Sequence, residues 1–509
     1  MEQFSNLAAF NHYVLAFVML SIMVLVARTI VAGTKYSSLL VIVVFGLGLG
    51  ALLVESGMAQ SGLTDFPVVV MMNQTTVIAL IASFFVGGQE IRRLLSNQIV
   101  TDDHSFMPSN RELIVGTNTT QWVFIVRAFL LLLGIEMVDA LLSGRATQNI
   151  LGDAYLLLAY ISLAVAFILL DNKAVFTCKS SYIRRGIVET CAIVLVLKLS
   201  LMLTNLVAAY IGLPQIFFAM ILSSSLGAMM PKWKLGPTMN ALLFAGIPLV
   251  LSASFLVGGS HMLTAFSVPG LQSVIVYGFS GQVFWMFGGL ALLVFVGKAN
   301  HLRNLAPGMA GGLSHSGLTG ACTAGDFGQT AASRAPIMIN IPFAAHIFVF
   351  TILAASAEQN ALLIEWTLPL IVAGALFVFF ALRLLRCANG NQTQEVKGLM
   401  LFSLGWQIMA VFGSFTILCM AGMSLENASM SASSGLSHFG LFAAVQEGMF
   451  GDTAASLITF TFAMTFLVHP LVFGMFGKAA ERQGVMTEKA VGVLALLGLI
   501  GVVYSLFLI

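Results

Sequence analysis

The chain has 509 residues, 59% of them hydrophobic and only 9% charged, and its 23 Lys and Arg against 21 Asp and Glu leave a net charge of +2. A soluble domain carries roughly 25% charged residues, so this composition excludes an ordinary soluble enzyme or binding module, and the near-neutral balance argues against nucleic acid as a partner. With a mean hydropathy of +0.97, the expected fold class is an all-α polytopic membrane protein whose first partner is the lipid bilayer.

Apolar runs predict spans at 12–32, 37–54, 67–91, 121–143, 151–170, 186–209, 213–230, 238–257, 274–297, 335–356, 363–382, 398–424, 457–476 and 488–508, fourteen in all. The first follows Asn11 and His12 without a basic leader or a small-residue cleavage site, so it reads as a retained span and not a signal peptide. Threading the chain through these spans sends Lys and Arg overwhelmingly to one side. Arg145 alone falls on the other, and Arg127 and Lys198 fall inside spans. The positive-inside rule makes the basic side cytoplasmic and both termini extracytoplasmic. The expected location is a bacterial inner or plasma membrane. The spans divide into a first membrane unit of five spans (1–183), second-unit scaffold spans (184–273), and two repeats (274–397 and 398–509).

Those repeats carry one phrase written twice. Leu313–Ser333 reads LSHSGLTGACTAGDFGQTAAS and Leu436–Ser456 reads LSHFGLFAAVQEGMFGDTAAS, with 13 identities at an offset of 123. Chance gives roughly two matches in such a window, so this is an internal duplication. It extends outward: His346 aligns with His469, and QVFWMFGG from Gln282 aligns with QIMAVFGS from Gln407. A second echo pairs LGALL (Leu49–Leu53) with LGAMM (Leu226–Met230), and ASFFVGG (Ala82–Gly88) with ASFLVGG (Ala253–Gly259). Three crossings separate the two copies of the long phrase, so they meet the membrane from opposite faces. Neither copy has an apolar run that crosses easily. Both are expected to be re-entrant hairpins in inverted-topology repeats, an arrangement found in secondary transporters.

The hairpins also supply the chemistry. Glycines admit close approach, hydroxyls and amides supply neutral donors and acceptors, and broken helix ends offer partial charges to an ion. The expected substrate-binding set is Ser314, His315, Gly317, Thr323, Gln329, Thr330, Ser333 and Arg334 in the first copy, with Ser437, His438, Gly440, Thr453 and Ser456 in the second. Acids at membrane depth are costly and by default functional, and histidines can relay protons. The expected coupling-ion set is therefore Asp326, Asp452, Glu447, His346 and His469. Asp326 aligns with Met449 and Asp452 with Gln329, so the duplication is broken at the acids. Small-residue helix packing is the plain alternative for the hydroxyls. Structural pairing is the plain alternative for Glu189 and Lys198, and for Arg127 with Glu136 or Asp139. Cys178, Cys191, Cys322, Cys387 and Cys419 have no metal-ligand spacing, and neither a cofactor nor a metal is expected.

IASFFVGGQEI (Ile81–Ile91), GGLSHSGLTGACTAGDFGQTAAS (Gly311–Ser333) and the IPFAAHIFVF helix directly after it (Ile341–Phe350) together resemble the sodium:glutamate symporters and their relatives among the cation/proton antiporters and the sodium:citrate and bile-acid carriers. The resemblance implies two inverted repeats, a scaffold against a mobile core, elevator-type alternating access and symport of a small organic anion with sodium. The expected function is thus ion-coupled transport of a small anion such as an amino acid or carboxylate, with a homodimer as a candidate assembly. A monovalent cation/proton antiporter using Asp326, Asp452 or Glu189 is the alternative. No nucleophile elbow, HExxH or phosphate loop suggests an enzyme.

Overall fold

The computed structural model describes residues 19–20, 22–31, 38–66, 69, 76–95, 180–207, 215–236, 238–239, 242, 247–296, 308–309, 312–313, 334, 337–338, 340, 362–388, 391–436, 439–446, 448–468 and 485–509. Among these residues every regular element is helical. In chain order they are α1 (Ile22–Val31), α2 (Ser38–Glu55), α3 (Thr76–Leu95), α4 (Ser180–Val207) and α5 (Gln215–Met229). Next come α6 (Ile247–Ser260), the short α7 (Met262–Phe266) and α8 (Leu271–Phe295). The last group is α9 (Leu362–Cys387), α10 (Gln392–Met420), α11 (Leu425–Leu436), α12 (Phe439–Gln446), α13 (Asp452–Phe466) and α14 (Val485–Leu506).

Among the described residues four stretches are long and apolar enough to cross a membrane: Arg185–Leu206, Leu271–Phe295, Thr367–Cys387 and Thr393–Met420. Shorter apolar helices accompany them. On α9 the side chains of Leu368, Val372, Leu376 and Phe379 are exposed, and on α14 so are Leu496, Ile500 and Val503, with Phe507 just after it. A contiguous apolar exterior of this kind is what lipid requires and water penalises. The chain is a helical membrane protein. The expected spans at 121–143 and 151–170, and nearly all of 335–356, lie outside the described residues.

The second sequence echo becomes two helix crossings. A side-chain carbon at Gly88 on α3 would lie 2.0 Å from the Ser224 carbonyl of α5, and one at Gly227 on α5 would lie 2.0 Å from the Phe85 carbonyl of α3. At the α2–α6 crossing, Gly50 stands in the same way 2.2 Å from the Leu256 carbonyl, and Gly259 stands 2.3 Å from the Leu47 carbonyl. The contacts are equivalent position for position: Gly50 corresponds to Gly227, Gly88 to Gly259, and Phe85 to Leu256. LGALL of one copy therefore packs on ASFLVGG of the other, and LGAMM packs on ASFFVGG. Backbones approach this closely only where the residue facing the partner's carbonyl lacks a side chain, as in small-xxx-small interfaces.

The turn after α5 is fixed from two sides. Buried Gln89 donates through Nε2 to the carbonyls of Met230 (2.8 Å) and Trp233 (2.9 Å). Glu189 of α4, 2% exposed, accepts from the Gly236 and Met239 amides and from Trp233 Nε1. The carboxylate offered above as an exchange acid thus has backbone and indole donors as its partners. Glu189→Ala strands three donors, at about 1–3 kcal/mol each where they are buried. Glu189→Gln, which keeps one acceptor oxygen, is expected to cost less. Thermal unfolding in detergent checks this order, and equal melting temperatures would remove Glu189 as the anchor of the turn.

The second half is built on α8 and α10, which run antiparallel. Tyr277 donates to Ser414 Oγ, and eight residues further along α8, Trp285 packs edge-on against Trp406 at 5.4 Å between centroids. Trp406 Nε1 closes the crossing on the Trp285 carbonyl at 2.9 Å. Each helix then takes an outer partner: α14 lies on α8 with Gly498 against the Phe284 backbone, and α9 lies on α10 with Gly374 against Gly405. The start of α10 is set by Asn391, whose side chain accepts from the Thr393 and Gln394 amides, with Glu395 in the first turn.

Candidate functional site

The second copy of the duplicated phrase begins at the end of α11 and runs on through α12 into the first turns of α13. In α11, Ala428 to Leu436 are all buried, including Ser429, Ser431, Ser433 and Ser434. The described part of α11 ends at Leu436, and α12 begins at Phe439. Two pairs of contacts give the directions. The Glu426 carboxylate lies over Gly451 at the start of α13, and Thr465 near the end of α13 donates through Oγ1 to the Ser434 carbonyl at 3.2 Å. Hence α11 and α13 run side by side in the same direction, and α12 makes the return between them. Gly451, with φ +106, supplies a backbone conformation there that side-chain-bearing residues rarely adopt.

The carbonyls of a helix's last turn lack partners four residues on. Side chains supply the missing donors. Gln282 Nε2 of α8 donates to the Ser434 carbonyl at 2.7 Å, alongside Thr465. Gly435 lies against Gly278, and Asn427 lies by Gly270, so α11 follows α8 in the same direction. The broken end therefore falls beside the α8–α10 crossing, next to Tyr277 and Gln282.

Of the first copy, Leu313 is described, and Gly308, Met309 and Gly312 precede it. Ser403 of α10 donates to the Gly308 carbonyl at 2.6 Å, and Gly312 lies against Ser403 and Trp406. This segment follows α10 as α11 follows α8. Gly312 corresponds to Gly435, and Ser403 to Gly278. Because α8 and α10 are antiparallel, the two segments reach the crossing from opposite ends. Gln407 stands on α10 where Gln282 stands on α8, and both are buried.

The predicted residues fall as follows. Arg334, 6% exposed, pairs through Nη1 with Glu395 Oε2 at 3.3 Å, tying the chain after the first copy to the start of α10. Asp452, Thr453 and Ser456 are exposed in the first turns of α13, level with the start of α11 and about 15 Å of helix away from its broken end. Gly440 is the second residue of α12. Ser314, His315, Gly317, Thr323, Asp326, Gln329, Thr330, Ser333, His346, Ser437, His438, Glu447 and His469 lie outside the described residues.

Sequence reasoning missed Gln282, Gln407, Tyr277, Ser414 and Asn340, and it took no account of the buried serines of α11. The glutamines had a visible signal, since each opens a duplicated motif. The serines had none: SMSASSG reads as a polar connection until burial on every side is seen. Among the described residues no group of His, Cys, Asp and Glu is arranged to hold a metal ion. Comparison with family models, curated proteins and solved structures gave no match to this chain.

Proposed function

We propose that the chain is an ion-coupled secondary transporter, sodium being the favoured ion, that moves a small organic anion such as an amino acid or carboxylate by alternating access. One observation carries this: the stretches leading into the two copies of the duplicated phrase approach the antiparallel α8–α10 crossing from opposite ends, and the end of the second is held by a side chain of the crossing. Broken helices meeting near the middle of a bundle expose backbone dipoles to a ligand, a recurrent basis for carrier sites. Re-entrant hairpins in inverted repeats are the membrane form of this arrangement, and the return of α12 between α11 and α13 supports it. The neutral polar groups at the crossing suit solute binding by hydrogen bonds. The exposed Asp452 beside Glu426 suits cation attraction at the mouth of the second hairpin.

Uptake of a panel of amino acids and carboxylates into proteoliposomes, with sodium and proton gradients imposed separately, tests the assignment. Sodium-driven accumulation of one solute class is expected. Asp452→Asn and Asp326→Asn are each expected to reduce that uptake at least tenfold or to uncouple it, with normal amounts of folded protein. Normal transport by both variants would remove the acids from the coupling site.

A further inference from the structure

Each glycine crossing of the first half meets residues of the second half, 459–466 of α13 at one and Asn340 at the other, and these positions correspond through the offset of 123. At the α2–α6 crossing the contact is apolar: Gly258 abuts the Thr459 carbonyl, and Phe462 and Phe466 pack on Phe255. At the α3–α5 crossing the position equivalent to Ala463 is Asn340. Its Nδ2 donates to the Phe84 carbonyl at 2.8 Å and to Ser224 Oγ at 3.1 Å. These two bonds fix the amide, so Oδ1 points away from both. Asn340 is 4% exposed, and its Oδ1 accepts no hydrogen bond among the described residues.

A buried acceptor without a donor is costly, and such groups are uncommon in native interiors. Packing does not demand this one, because Ala463 serves at the equivalent crossing. Met338, two residues before Asn340, lies against Ser403, which in turn touches Gly308 and Gly312.

We infer that Asn340 Oδ1 is a ligand of an alkali cation bound at the α3–α5 crossing, the ion whose gradient drives transport. Hard cations are held by oxygen ligands, and a neutral amide suits a single positive charge. The two bonds through Nδ2 hold that oxygen in one direction, as a ligand position requires. This assignment rests on the transporter function proposed above.

The full chain, purified in detergent, is melted over a range of sodium, potassium or N-methylglucamine chloride at constant ionic strength. No amino acid or carboxylate is present, and N-methylglucamine serves as the organic ammonium control, so a substrate ammonium group cannot be the source of the signal. The wild-type melting temperature is expected to rise saturably with an alkali cation, Asn340→Ala to need at least tenfold more of it, and Asn340→Asp to retain the response. Should Asn340→Ala not fold, Asn340→Gln takes its place, with an expected loss of at least threefold. Wild-type half-saturation in the folded variants overturns the Asn340 assignment and leaves cation coupling standing. No cation response in the wild type, with proton-driven uptake in proteoliposomes, overturns both this assignment and the sodium coupling.

Discussion

Gly227→Ala is expected to lower the melting temperature of the purified protein sharply, while Gly48→Ala leaves it unchanged or raises it. A carbon added at Gly227 would sit 2.0 Å from the Phe85 carbonyl, a distance no pair of such atoms tolerates, whereas one added at Gly48 meets nothing within 4 Å. The clash is with backbone, so no side chain can rotate away. The α3–α5 crossing must open, and forced overpacking of this kind costs about 1–3 kcal/mol, occasionally more. At Gly48, alanine is the better helix former by about 1 kcal/mol. Because α2 contains both Gly48 and the crossing residue Gly50, Gly50→Ala supplies the comparison within one helix. It is expected to behave like Gly227→Ala, since the two positions are equivalent. Melting temperatures that do not separate Gly48 from Gly50 would show that the crossings are not closely packed.

Gln282→Leu is expected to reduce solute uptake at least tenfold with little loss of folded protein. Leucine keeps the volume of this fully buried side chain and removes its donor, leaving Thr465 as the described side chain that donates to the Ser434 carbonyl. The lost bond costs about 1–3 kcal/mol of stability, small enough for the carrier to fold. The functional loss is larger because the bond sets the position of the broken end of α11. Displacement of about 1 Å at a binding site is enough for a hundredfold loss in rate. Gln407→Leu, at the equivalent place on α10, is expected to match it. The readout is initial uptake per folded carrier in proteoliposomes. Wild-type rates in both variants would separate the glutamines from the transport site.

Hydropathy alone made this a helical membrane chain, and the duplicated words alone paired LGALL with LGAMM, ASFFVGG with ASFLVGG, and Gln282 with Gln407. Those features are local: an apolar run of sufficient length has no low-energy state in water, and a duplicated word is visible without knowledge of its neighbours. Partner choice is not local. A Gly-containing face permits close approach to any other small face, so only the folded chain determined that each glycine word packs on the opposite word of the other copy. The same holds at the candidate site. Asp452 attracted attention because an acid inside an apolar protein is costly, yet it is exposed at the start of α13, where water or headgroups relieve that cost. The serines of α11 look solvent-bound in sequence, yet they are enclosed, because α8, α10 and α13 surround them. Sequence composition determined what the chain dissolves in. Tertiary structure decided which carbonyls were left open, and which distant side chains, Gln282 and Thr465 among them, closed them.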